Sequence, residues 1–175
     1  RLLSVIHQQQ GELDRAIALA DRELASNPND ADSISQKAAI LIQMGSWEDG
    51  IAVQKQAIRL NPHPPVNYLT GLAMAHEWLW QYQEAHAALQ QALAVNRGSA
   101  VPYWQLARLY ISAWVTQSMP SDGLLRRALA IAERGAALNP EFSDAASTVL
   151  RVSVAEIHWR QGQYGETVAE IEGGI

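Results

Sequence analysis

GSWEDGIAVQKQAIRLNP, residues 45–62, opens on one helix terminator and closes on another. Gly45 is the residue type favoured where a helix ends in the left-handed conformation. Ser46, with Asp49 three residues on, approximates a capping box and predicts a helix start. Ile51, Val53, Ala57, Ile58 and Leu60 then supply apolar side chains at helical spacing. Pro62 lacks a backbone N–H and pushes its predecessor out of the α region, so the helix stops there. Upstream, Ile34, Ala38, Leu41 and Ile42 carry the same periodicity up to Gly45. The quoted stretch is therefore the second arm of a helix hairpin.

The closing mark returns along the chain. Asn-Pro occurs at 27–28, 61–62 and 139–140, and Asn96 is followed by Arg97. The asparagines stand 34, 35 and 43 residues apart, a period of about 34 with one slippage and one insertion. A second mark falls midway in each unit, in QQQGELDRAIALA, QMGSWEDGIAVQ, WLWQYQEAHAALQ and RQGQYGETVAEI, which gives two helices per unit. A period of this size is the signature of stacked supersecondary units.

The units resemble tetratricopeptide repeats, helix-turn-helix modules whose pattern alternates large and small residues in both helices. Residues 31–64 supply Ile34, Ala38, Leu41, Gly45, Trp47, Ala57 and Pro62, with Lys37 where Leu is usual and Gly50 where Ala is usual. Residues 66–99 supply Leu69, Leu72, Ala73, Tyr82, Ala85, Leu89 and Ala92, with Arg97 in place of the proline. Residues 100–142 supply Tyr103, Leu106, Ala107, Tyr110, Ala128 and Pro140. A partial first unit, 1–30, carries Leu3, Ser4, Gly11, Leu13, Ala16 and Pro28; an irregular last one, 143–175, carries Val154, Ala155, Gly162 and Tyr164. The resemblance implies an all-α fold, a right-handed superhelical solenoid of antiparallel helix hairpins with four to five repeats, in one domain over residues 1–175.

The fourth unit departs from the period by about nine residues within YISAWVTQSMPSDGLLRRA. This predicts a first helix prolonged to about Gln117, a turn at 118–121 with Pro120 at its apex, and a second helix capped by Ser121 or Asp122. The longer hairpin near 111–124 is expected to project beyond its neighbours, as a docking element or to cover an edge or adjust the curvature of the solenoid. Five further residues after Pro140, EFSDA, predict one added helical turn.

By the same resemblance, first helices line a concave groove. The residues placed there are Met74, Glu77 and Trp78 in the third unit, Trp104, Arg108 and Ile111 in the fourth, and Trp159 in the fifth. Aromatic residues and arginine are typical anchors of recognition sites, and a peptide with apolar anchors and a charge or two suits such a groove. Trp47, at the usual second-helix aromatic position, is expected in the core. The clamp with which chaperone-tail receptors of this family hold a terminal carboxylate is missing, Arg108 being the one cation suitably placed.

Composition narrows the function. The chain has 175 residues, 48% of them hydrophobic, and a formal net charge of -5. The core is ample, and the acidic balance argues against nucleic acid. No apolar run is long enough to span a membrane. With no cysteine the redox compartment stays open, a cytoplasmic location being marginally favoured. The start, RLLSVIHQQQ, has neither Met nor a signal-peptide layout and reads as a fragment. His7, His76 and His158 occupy one position in alternate units, too far apart to share a metal. Each is expected to replace Tyr, its polar edge finding a neighbour. No phosphate loop and no Ser, His and Asp set has recognisable spacing. The chain is expected to be no enzyme and to need no cofactor or metal. Its function is expected to be binding of a protein or peptide in the groove. The alternative is a structural role through self-association, or a regulatory domain, since residues 61–93 weakly resemble repeat regions of bacterial class III nucleotide cyclases.

Overall fold

The computed structural model describes residues 2–116, 118 and 123–139. The fifth repeat, Trp159, His158, Gln117 and the turn around Pro120 lie outside them. The described residues form eight α-helices and no strand: α1 (Leu2–Gln9), α2 (Leu13–Ser26), α3 (Ala31–Gln43), α4 (Trp47–Leu60), α5 (Val66–Trp78), α6 (Tyr82–Val95), α7 (Ala100–Val115) and α8 (Leu124–Leu138). The chain divides into two compact units, residues 1–88 and 89–175, the division falling within α6. In the first, α1 packs on α2, α2 on α3, α3 on α4 and α4 on α5; in the second, α7 packs on α8.

Two kinds of helix end alternate, and each follows from local chemistry. At the ends of α1, α3 and α5 the chain turns through a left-handed residue: Gly11 (φ 77°), Gly45 (φ 85°) and Trp80 (φ 61°). The hydrogen bonds are the same each time. Gly11, Gly45 and Trp80 donate to Gln8, Ile42 and Glu77, and the residues after them, Glu12, Ser46 and Gln81, donate to His7, Leu41 and His76, at 2.9–3.1 Å. This is the Schellman arrangement, which satisfies carbonyls the helix end would leave unpaired.

The second helices end differently. Asn27, Asn61, Asn96 and Asn139 each form the C-cap, donating their N–H to the residue four back. Asn61 Oδ1 accepts the His63 N–H at 3.1 Å, and Asn96 Oδ1 accepts the Gly98 N–H at 2.9 Å. The asparagine side chain thus folds the chain back on itself as an Asx turn. Hence the stop survives at Asn96-Arg97, where the proline is missing.

The small residues of the repeat pattern mark helix contacts. Ala16, Ala38, Ala57, Ala73, Ala85, Ala92, Ala107 and Ala128 are all at most 2% exposed. Among the described residues Tyr68 is the largest fully buried side chain; it packs with Ile34 and Ala57, and Leu24, Val53 and Ile58 close around them. Its hydroxyl donates to Asp32 Oδ1 at 2.6 Å, tying α5 to α3.

The pattern's departures have local causes. Lys37 replaces an apolar residue and reaches Asp21 Oδ1 on α2 at 2.6 Å, a partly exposed pair worth at most about 1 kcal/mol. Gly50 is buried where α4 meets α3 so closely that a Cβ would stand 2.5 Å from Ile42 Cγ1 and 3.3 Å from the Ile42 nitrogen. Two predicted caps are corrected. Ser46 is the N-cap of α4 without a side-chain cap bond; its carbonyl accepts the Gly50 N–H at 2.9 Å. The N-cap of α8 is neither Ser121 nor Asp122 but Gly123, at φ 80°, a conformation glycine adopts without steric cost.

Candidate functional site

The sequence placed its candidate residues on first helices, and those that the structure describes lie on two of them. In the first unit, α5 carries Met74 and Glu77, both half-buried, and Trp78, 54% exposed at its last turn. In the second unit, α7 carries Trp104, Arg108 and Ile111, all half-buried. Trp104 and Ile111 pack against Ala107 and Ala132 beside Ile131 of α8. They therefore contribute to the α7–α8 core as well as to the surface.

Trp78 turns toward the start of α4. Its ring stacks on Trp47, with centroids 5.8 Å apart and planes 6° apart. Trp47 is accordingly half-buried rather than a core residue, a correction whose cause is this stack at the hairpin edge. Two residues on, Trp80 is 67% exposed and meets Tyr82 edge-on, with centroids 6.2 Å apart and planes at 88°. Sequence reasoning missed Trp80. The available signal was a tryptophan at the place where the other two hairpins have Gly11 and Gly45.

Two of the three aligned histidines brace the turn that follows their helix. His7 Nδ1 lies 2.6 Å from Glu12 Oε2, and His76 Nδ1 lies 2.6 Å from Gln81 Oε1. Each imidazole spans the turn to the residue whose N–H its own carbonyl accepts. The predicted polar neighbour is thus present at both. Among the described residues no cluster of His, Asp and Glu could hold a metal ion, and no helix is long and apolar enough to cross a membrane.

Arg15, at 3.0 Å, and His7 hold the Glu12 carboxyl below its ordinary pKa of 4.5. A carboxyl lowered in the folded state adds stability above its unfolded pKa, and that stability is lost as pH falls through the folded value. Glu12→Gln should therefore slightly flatten the fall in Tm as pH drops from about 5 toward 3, read by circular dichroism, with a small loss of Tm at pH 7. Gln81 does not ionise, so Gln81→Ala should leave the acid dependence unchanged.

One further hollow lies in the first unit, an open cleft of about 600 Å³ lined by Leu2, Leu3, Leu19, Arg22, Glu23 and Ser26. Leu2, Leu3 and Ile6 are 81%, 59% and 44% exposed, so α1 presents an apolar face to solvent.

Antiparallel helix hairpins with glycine-type turns within and asparagine stops between define a helical-repeat protein. The tetratricopeptide repeat pattern matches residues 66–98. Solved structures agree. MamA from Desulfovibrio magneticus RS-1 is 16% identical, with a TM-score of 0.76, over 99% of this chain and 90% of that one. TTC0263, a thermophilic TPR protein of Thermus thermophilus, is 20% identical, with a TM-score of 0.69, over 98% and 86%. YrrB, described as a TPR protein with an unusual peptide-binding site, is 15% identical, with a TM-score of 0.68, over 98% and 81%. No curated protein matches the sequence. Residues 66–98 are a tetratricopeptide repeat, and the chain has the fold of tetratricopeptide-repeat proteins.

Proposed function

We propose that the chain is a protein-interaction module that holds a peptide segment of a partner through first-helix residues: Met74, Glu77 and Trp78 on α5, and Trp104, Arg108 and Ile111 on α7. Trp159 extends the set beyond the described residues. The observation that carries the reading is that apolar side chains on these helices are left partly open after the hairpin cores are filled. Trp78 is more than half exposed, whereas Leu69, Leu72 and Ala73 of the same helix are buried. YrrB, which shares the fold, is described as having a peptide-binding site. The module has no chemistry of its own and needs no cofactor. Self-association is the competing structural role.

A variant with Met74→Glu and Arg108→Glu should keep the wild-type circular dichroism spectrum and Tm within a few degrees, because both side chains are only half-buried. Such a variant should lose by at least about tenfold the partner that wild type captures from native extract, the scale of one hot spot. Equal recovery by both, or recovery of the repeat protein alone, would replace groove binding with a structural role.

A further inference from the structure

The α5–α6 turn combines exposed aromatic rings, a backbone conformation unfavourable to them and a one-sided charge. Trp78 and Trp80 are 54% and 67% exposed, so burial does not account for their size. Trp80 holds φ 61°, where Gly11 and Gly45 serve the other turns; a β-carbon in that conformation is costly, and a tryptophan gains nothing from it locally. Trp78 and Trp80 stay exposed even though Trp78 stacks on the half-buried Trp47 and Trp80 meets the buried Tyr82 edge-on.

Charge supplies the second observation. Glu48 and Asp49 follow Trp47 on the first turn of α4, Glu77 precedes Trp78, and Glu84 follows Tyr82. No Lys or Arg occurs between Arg59 and Arg97. His76 is buried against Gln81, and burial lowers the pKa of His86, disfavouring its charged form. Aromatic faces carry a negative quadrupole that attracts cations. The carboxylates raise the local concentration of positive charge and disfavour anionic ligands.

We propose that this turn receives an arginine-bearing segment of a partner protein, the guanidinium lying against the exposed rings of Trp78 and Trp80 with the neighbouring carboxylates balancing its charge. A planar guanidinium stacks on indole and sheds water more readily than an ammonium, which selects arginine over lysine. The inference rests on the reading of the chain as a protein-interaction module and gives that module a cation-selective contact outside the Met74 and Arg108 positions.

The test follows the indole N–H signals of the whole chain by NMR. The probe is an acetylated, amidated Gly-Arg-Gly-Arg-Gly peptide, beside the same peptide with uncharged citrulline for arginine. The arginine peptide should shift the Trp78 and Trp80 indoles saturably and leave Trp104 and Trp114 in place; lysine should bind more weakly and citrulline least. Trp80→Gly, which installs the residue the other turns use, should keep or raise Tm while weakening the arginine peptide about two- to fivefold, the scale of one exposed cation–π contact. Trp78→Ala should weaken it by a similar factor. Equal shifts with citrulline, no shift at either indole, or indole shifts that follow protein concentration alone would overturn the proposal, the last by making a second copy the occupant. Partner capture that still depends on Met74 and Arg108 alongside a silent arginine titration would remove this contact and leave the interaction module standing.

Discussion

Tyr68→Ala is expected to destabilise the first unit by about 3–5 kcal/mol, the cost of emptying a fully buried aromatic site. That is a large share of the roughly 5–15 kcal/mol that holds a domain folded. Tyr68 is 1% exposed and sits in the cluster that joins α3, α4 and α5, with Leu24 of α2 against it. Removing its ring therefore opens contacts between hairpins as well as within one. Tyr68→Phe separates the ring from the hydroxyl. Asp32 is exposed and water can replace the lost donor, so Phe should cost only about 1 kcal/mol. Urea denaturation followed by circular dichroism measures both. A loss for Phe as large as for Ala would mean that the hydrogen bond to Asp32, and not packing, joins the hairpins.

Gly50→Ala is expected to destabilise although alanine is the better helix former. Helix propensity favours alanine by about 1 kcal/mol. Against it, the new methyl would meet Ile42 Cγ1 at 2.5 Å and the α3 backbone at 3.3–3.4 Å, and overpacking a fitted contact costs about 1–3 kcal/mol. The net loss should be at most about 2 kcal/mol. Ile42→Ala, which removes Cγ1, should also destabilise alone, by about 2–5 kcal/mol, yet Ile42→Ala combined with Gly50→Ala should be more stable than the two single losses sum to. This coupling is expected of side chains in direct contact. Strict additivity would show that Gly50 is not there to admit Ile42.

These two sites also show where the sequence is readable. Gly50 is recognisable as a departure from the repeat pattern, and Ile42 as an apolar residue of the preceding helix. That one compensates the other depends on how closely α3 and α4 approach, which periodicity does not encode. Tyr68 was invisible for a related reason: its partners Ile34, Ala57 and Asp32 are 11 to 36 residues away. The hairpins themselves were legible because apolar spacing and glycine turns are local signals. Among the described residues, all eight pattern alanines are buried as the repeat resemblance implies.

The interhairpin stop was legible as Asn-Pro, but its working part is the asparagine. Proline ends a helix by what it lacks, whereas the Asn61 and Asn96 side chains supply an acceptor that reverses the chain. The candidate site was less readable. Met74, Trp78, Trp104 and Arg108 were placed from repeat positions, which specify a helix face but not which neighbour a ring selects. The stack of Trp78 on Trp47 and the left-handed Trp80 both contradict residue-type expectation, since tryptophan suggests a core and glycine suggests a turn.

The interaction role is tested most directly by site-specific photocrosslinking to the partner captured from native extract. Benzoylphenylalanine is placed at position 74 on α5, at position 108 on α7, and at the exposed second-helix position 56 on α4 as control. Covalent adducts with the partner should form from positions 74 and 108 and not from 56. Adducts from 56 with none from 74 or 108 would contradict recognition by the first helices and move the functional surface to the second helices.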